Sequence, residues 1–142
     1  MNIGYSMNYC SKLLKNKLNK ELENEDITVA QFAVIKDIEM NSRIDDLENH
    51  VTAVEISERL DMDKPTISGI INRLEDKGYL EKLAHPTDGR SSILVLTDLC
   101  VEKLPLLEDL NNKVISQALE GLNEADLIVF QNLLNQIIEN IK

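Results

Sequence analysis

Apolar residues recur along this chain at intervals that change from segment to segment, and the intervals name the elements. From Ile3 to Glu23, the residues Ile3, Met7, Cys10, Leu14, Leu18 and Leu22 repeat at steps of three and four. That spacing lines one face of an amphipathic helix. The segment NEDIT interrupts it. Thr28 then stands as N-cap of a second helix, VAQFAVIKDIEM, with Phe32, Ile35 and Ile38 facing inward. NSRIDDLENH follows as an acidic, polar connection. Thr52 caps a short helix, AVEISERL, that turns Ala53, Ile56 and Leu60 inward. DMDKP reads as a tight turn. Asp63 can cap a helix beginning at Lys64, and Pro65 is tolerated in its first turn because the N–H it lacks is unpaired there anyway. That helix, KPTISGIINRLEDK, stops at Gly78.

Beyond Gly78 the helical spacing gives way to two short runs, YLEKLA and SILVLT, which read as strands joined by HPTDGRS. Asp88 and Gly89 occupy the natural turn positions of a hairpin. A hairpin this short is expected to lie outside the core. Thr97 can cap a long helix towards Gly121, in which Pro105 is expected to produce a kink. A last helix, capped by Asn123, runs to Ile141. The order predicts a mainly α fold with a small β wing. Residues 25–97 form a winged helix-turn-helix lobe, and residues 1–24 and 98–142 supply long helices from the two termini. There are no internal repeats.

Those outer helices carry more apolar surface than one small lobe can cover. In the last helix Leu127, Phe130, Leu134, Ile137 and Ile141 fall at steps of three, four, three and four, a coiled-coil-like seam, and Ile128, Leu133 and Ile138 widen it. Leu107, Leu110, Val114 and Leu119 do the same one helix earlier. These faces predict a homodimer; the alternative is a three-helix cluster within one chain.

Charge alters this picture more by its distribution than by its sum. The chain has 142 residues and a formal net charge of -10, which argues against simple adhesion to nucleic acid. Residues 1–20 carry four Lys and no acid, residues 21–61 have a net charge of -9, residues 62–91 are neutral, and residues 92–142 have -5. The helix-hairpin segment is thus a neutral island in an acidic chain. No segment approaches the ~20 apolar residues of a membrane span, and the N-terminus shows no signal-peptide pattern, so a cytoplasmic location is expected. Cys10 and Cys100 lack disulfide or metal spacing, and His50 and His85 are unpaired with cysteine, so no metal and no cofactor are expected. Without a nucleophile elbow, phosphate loop or zinc motif, the chain does not read as an enzyme.

The chemistry concentrates between Lys64 and Arg90. At 100° per residue, Ile67, Ile70, Ile71 and Leu74 form one stripe of the helix. Pro65, Ser68, Gly69, Asn72 and Asp76 lie opposite, with Thr66 and Arg73 on the flank. Small residues let the backbone come close to a DNA major groove, where Ser, Thr and Asn can hydrogen-bond. Asn72 has the chemistry to pair with the N6/N7 edge of adenine, and Arg73 to reach a phosphate or a guanine. Arg90, near the hairpin tip, suits a narrow minor groove, which attracts an inserted Arg. Asp88 is placed to hold its guanidinium in a bidentate fork. The plainer alternatives are a solvated helix face and an ordinary Asp-Gly turn.

Residues 52–97 resemble the DNA-binding core of the MarR family of bacterial transcription regulators. The carrying residues are TAVEISERLDMDKPTISGIINRLEDKGYLEK, then Asp88-Gly89-Arg90, then ILVLT. ITVAQFAVI, the first helix and LNEADLIVFQNLLNQII fit as well. The resemblance implies an obligate dimer of triangular shape whose outer helices form the dimer interface. It also implies double-stranded DNA with a pseudo-palindromic operator as partner, and a repressor released by a small ligand or by oxidation. By the same analogy, Lys64, Pro65, Thr66, Ser68, Gly69, Asn72 and Arg73 serve the major groove, and Asp88 and Arg90 the wing. Where many relatives carry a basic residue on the recognition helix, this chain has Gly69. A small apolar or aromatic effector between the dimer helices and the lobe is implied by the resemblance alone. Two alternatives stay open: a redox response through Cys10, and a winged helix that docks protein instead of DNA.

Overall fold

The computed structural model describes residues 1–42 and 51–142; the acidic connection, from residue 43 to residue 50, and with it His50, lies outside the described residues. Among those described, the elements run α1 (Ile3–Leu22), a 3-10 turn (Glu23–Glu25), α2 (Val29–Asn41), α3 (Ala53–Arg59), α4 (Lys64–Asp76), β1 (Leu80–Ala84), β2 (Ser92–Leu96), α5 (Asp98–Ala118) and α6 (Glu124–Ile141). The mainly α winged arrangement read from the apolar pattern is the observed one.

Each helix begins where a short polar side chain supplies an acceptor to an otherwise unpaired N–H of the first turn. Thr28 and Gln31 form a reciprocal capping box at the start of α2, with bonds of 3.1 and 3.2 Å. Asn123 and Asp126 do the same for α6, at 2.8 and 3.2 Å. Asp63 Oδ1 accepts from the Thr66 N–H at 2.7 Å, and Thr97 Oγ1 from the Cys100 N–H at 3.3 Å. Asn2 caps α1 at 2.9 Å, a cap outside the sequence expectation. α5 continues through Pro105 as one helix. Gly78, at φ +79°, takes the left-handed conformation that ends α4 and turns the chain into β1.

One core joins the parts. Phe32, Ile35 and Ile38 of α2, Ile56 of α3 and Ile67, Ile70, Ile71 and Leu74 of α4 meet Leu22 of α1 and Cys100, Leu104 and Leu107 of α5. The lobe is therefore continuous with the end of α1 and the first half of α5. The strands pair antiparallel, Leu80 opposite Leu96 and Lys82 opposite Leu94. Leu80 and Leu94 are each only 2% exposed, so the base of the hairpin is part of the core, contrary to the expectation from its length. The physical reason is the anchor beneath it: the Leu94 N–H donates to the Val51 carbonyl at 2.8 Å, and the Thr97 hydroxyl to the Gly78 carbonyl at 2.5 Å. α6, by contrast, buries no residue. Ile128, Phe130, Leu133 and Ile141 are exposed on it, as are Tyr5, Met7 and Tyr9 on α1.

Candidate nucleic-acid interface

The buried stripe of α4 sets the orientation of everything opposite it. With Ile67, Ile70, Ile71 and Leu74 in the core, Lys64, Pro65, Thr66, Ser68, Asn72 and Arg73 are exposed and Gly69 is half-buried. A Cβ placed on Gly69 would meet nothing within 4 Å. Packing within the chain therefore does not require glycine there, and the missing side chain leaves the helix backbone open on that face.

Both ends of α4 are tied down. At the N-terminus the Thr66 backbone N–H, and secondarily its hydroxyl, hold the Asp63 carboxyl below its ordinary 3.8. At the C-terminus Lys77 donates to the Asp26 carbonyl and, at 3.1 Å, to Gln31 Oε1 of the α2 capping box. The preceding helix is fixed by Arg59, whose guanidinium grips the buried Asp37 of α2 with two bonds of 2.9 Å. A helix held at both ends presents its outer face without rotating.

That face is not quite the one expected. Asn72 Oδ1 accepts from Lys82 Nζ of β1 at 2.8 Å, so the amide is already engaged. Arg73 lies on the other flank and lines a cleft between α1, α2 and α4 with Lys15, Lys20 and Lys77.

The wing is a folded loop from residue 85 to residue 91, longer than a two-residue hairpin. His85 Nδ1 accepts from the backbone N–H of Thr87 at 3.2 Å and of Asp88 at 3.0 Å. The Ser91 N–H donates to the Asp88 carbonyl at 3.2 Å, which makes Gly89 and Arg90 the central residues of the turn, one place later than expected. Asp88 Oδ1 accepts from the backbone N–H of Arg90 at 2.9 Å. The carboxylate therefore orders the turn instead of forking the guanidinium. A side chain two residues back reaches the main chain more readily than the far end of an arginine. Arg90 is exposed, and no acidic side chain among the described residues lies within ion-pair distance of its guanidinium.

A profile of the MarR family matches residues 25–91, which span α2 to the tip of the wing. Over that stretch the chain is similar to the MarR family. It is 26% identical over 130 residues to the HTH-type transcriptional regulator SarZ of Staphylococcus haemolyticus, an alignment that spans 92% of this chain and 82% of that protein. To the multiple antibiotic resistance protein MarR of Escherichia coli it is 35% identical over 80 residues, 56% of this chain and 51% of that one. Among solved structures, a DNA complex of S. aureus MepR superimposes with a TM-score of 0.86 at 18% identity, over 100% of this chain and 99% of that one. The MarR fold thus accounts for the whole chain, outer helices included.

Two residues of the interface were outside the sequence reading. His85 organises the wing through its ring nitrogen, a role that needs the loop's closure to be seen. Lys82 had a signal: two residues beyond buried Leu80 on a strand, it shares that side chain's face, and hence faces α4. The cysteines divide. Cys100 is buried, and burial first, with Glu39 second, pushes its thiol up to about 11, which leaves it protonated and unreactive. Cys10, expected on the apolar face, is exposed in the single chain, in a cleft between α1 and α5 beside Tyr9, Leu13 and Val114. Among the described residues no three His, Cys, Asp or Glu side chains gather as a metal would require, and no helix is long and apolar enough to cross a membrane.

Proposed function

We propose that this chain is a homodimeric, DNA-binding transcription regulator of the MarR type, acting in the cytoplasm as a repressor on a pseudo-palindromic operator. The observation that carries the reading is the pairing of an open, small-residue face on α4 with an ordered wing whose exposed tip residue is Arg90. The N-terminal half of α4 enters the major groove, where Lys64, Thr66 and Ser68 meet phosphates and base edges and Gly69 lets the backbone approach. Arg90 enters the adjacent minor groove, where the negative potential draws in its guanidinium. The MepR structure, solved with DNA, supports this use of the fold, and MarR-family regulators are not enzymes.

Dimerisation through α1, α5 and α6 is supported by the seam of Leu127, Phe130, Leu134, Ile137 and Ile141, of which Leu127, Leu134 and Ile137 are half-buried and Phe130 and Ile141 exposed, on a helix with no fully buried residue. Two-fold symmetry would then set the recognition helices ~34 Å apart, one turn of DNA. Release by a small apolar or aromatic effector follows from the family resemblance. The cleft between α1, α2 and α4 has suitable walls for an aromatic acid, with Ile27, Val29 and Met62 beside Lys15 and Arg73.

The deciding experiment is fluorescence-anisotropy titration of the protein onto DNA from upstream of its own gene, at low and physiological salt, beside Arg90→Ala. Affinity should fall steeply with salt, and the variant should lose at least ~1 kcal/mol, the scale of one good groove contact. Equal binding by both proteins would remove Arg90 from the groove. An absence of binding at any salt, with a protein partner recovered instead, would make the winged helix a docking module.

A further inference from the structure

We propose that Lys82 determines base specificity: its ammonium, held between Asn72 and Glu75, turns Asn72 from an adenine reader into half of a donor-only pair suited to guanine. The inference rests on the DNA-binding reading above and deepens it at one base pair.

Lys82 reaches from β1 across to α4. Its Nζ lies 2.8 Å from Asn72 Oδ1 and 3.5 Å from Glu75 Oε1. Asn72 and Glu75 are three residues apart on the helix, so they occupy neighbouring positions on one side of it. Together they hold the ammonium at two points, and the Lys82 side chain keeps 35% of its exposure. An ammonium offers three donors and no acceptor. The amide oxygen of Asn72 must therefore face it, and the amide NH2 is turned the other way.

This orientation has a consequence for reading bases. Asparagine recognises adenine by accepting from the N6 amino group with its oxygen while donating to N7 with its NH2. Here the oxygen already accepts a charge-assisted bond, stronger than the neutral one adenine would offer. An amino group brought to its other lone pair would also approach the ammonium, donor against donor. What the pair leaves available is the amide NH2 and an ammonium N–H. Guanine presents two acceptors, N7 and O6, on its major-groove edge, and the pair matches both. The amino groups of adenine and cytosine find the Asn72 oxygen already occupied by the ammonium. Asn72 is exposed, on the face of α4 opposite the buried stripe, which is where a base edge would arrive.

The test is selection of binding sites from randomised duplexes by the full-length protein, Asn72→Ala and Lys82→Met. Methionine keeps the apolar stem of lysine and removes the ammonium. Wild type should favour guanine over adenine by about tenfold at one position of each half-site, the scale of a bidentate contact. Asn72→Ala should flatten that preference, and Lys82→Met should move it to adenine. Adenine at the Asn72-dependent position in wild type would overturn the inference. So would a Lys82→Met protein that binds every sequence more weakly with unchanged preferences and a shallower salt dependence, because that is the mark of a phosphate contact. Failure of wild type to enrich any sequence would instead overturn the DNA-binding reading, and this inference with it.

Discussion

Asp63 shows how one side chain couples α4 to pH. Its carboxylate accepts from the Thr66 N–H, and its pKa is depressed below 3.8 by that bond. The ionised form is therefore preferred in the folded state. A depressed carboxylate contributes stability that is complete above its unfolded value and is lost as pH falls through the folded one. The cap should hold at neutral pH and loosen only in acid. Urea midpoints between about pH 5 and about pH 3 should fall further for wild type than for Asp63→Asn, which keeps a capping oxygen but no titrating group. Thr28 should behave differently. Its hydroxyl does not titrate in this range, and Thr28→Ala should cost about 1 kcal/mol at any pH in the same assay. All the helix caps but that of Asn2 were legible in the sequence, because they depend on identity and position alone. The engagement of Asn72 by Lys82 was not, because it joins an α-helix to a strand ten residues on.

Between elements, the Arg59–Asp37 pair fixes α3 against α2 and so sets the platform on which α4 turns. Asp37 is nearly buried while Arg59 is partly exposed, and the hydrogen bonds to Asp37 hold the guanidinium proton more tightly than usual. Removing the arginine leaves the carboxylate in a poor environment without its partner. Arg59→Met should lower stability by about 1–3 kcal/mol in urea denaturation, and the Arg59→Met, Asp37→Asn double variant should recover part of that loss. A double variant no better than the single would show that the pair adds nothing beyond packing. The apolar period announced α2 and α3 correctly, but not this bond, because Asp37 reads locally as one more acid in an acidic chain. The wing divides in the same way. Its strands were legible from their composition, while its anchoring through Leu80, Leu94 and the Val51 carbonyl depends on what lies beneath.

For the whole molecule, the proposed dimer rests on the apolar surface that α6 and α1 leave exposed. Phe130 keeps 44% of its exposure and Ile141 78%, so a charge at either place should leave the lobe folded while opposing a dimer seam. Phe130→Asp should shift sedimentation-equilibrium mass from twice 16.1 kDa towards 16.1 kDa. It should also weaken operator binding, because two half-sites would no longer be engaged together. A variant that stays dimeric would place the seam elsewhere. Charge works at this scale too. The neutral segment, residues 62–91, lies between acidic stretches on both sides, so under the proposed function non-specific attraction to DNA should be limited and discrimination left to the contacts of α4 and Arg90.

The order of the elements, all the helix caps but that of Asn2, the inward stripe of α4 and the arginine at the wing follow from the amino-acid sequence. Each depends on residue identity and short-range period, and both are written in the chain directly. Packing between elements makes the hairpin base core, turns Asp88 to the main chain instead of the Arg90 guanidinium, sets Arg73 in a cleft and brings Lys82 to Asn72. Those outcomes depend on which surfaces meet, and the meeting of surfaces is set by the packing of Ile67, Leu74, Leu80 and Leu94 into one core, to which no single segment contributes more than a side.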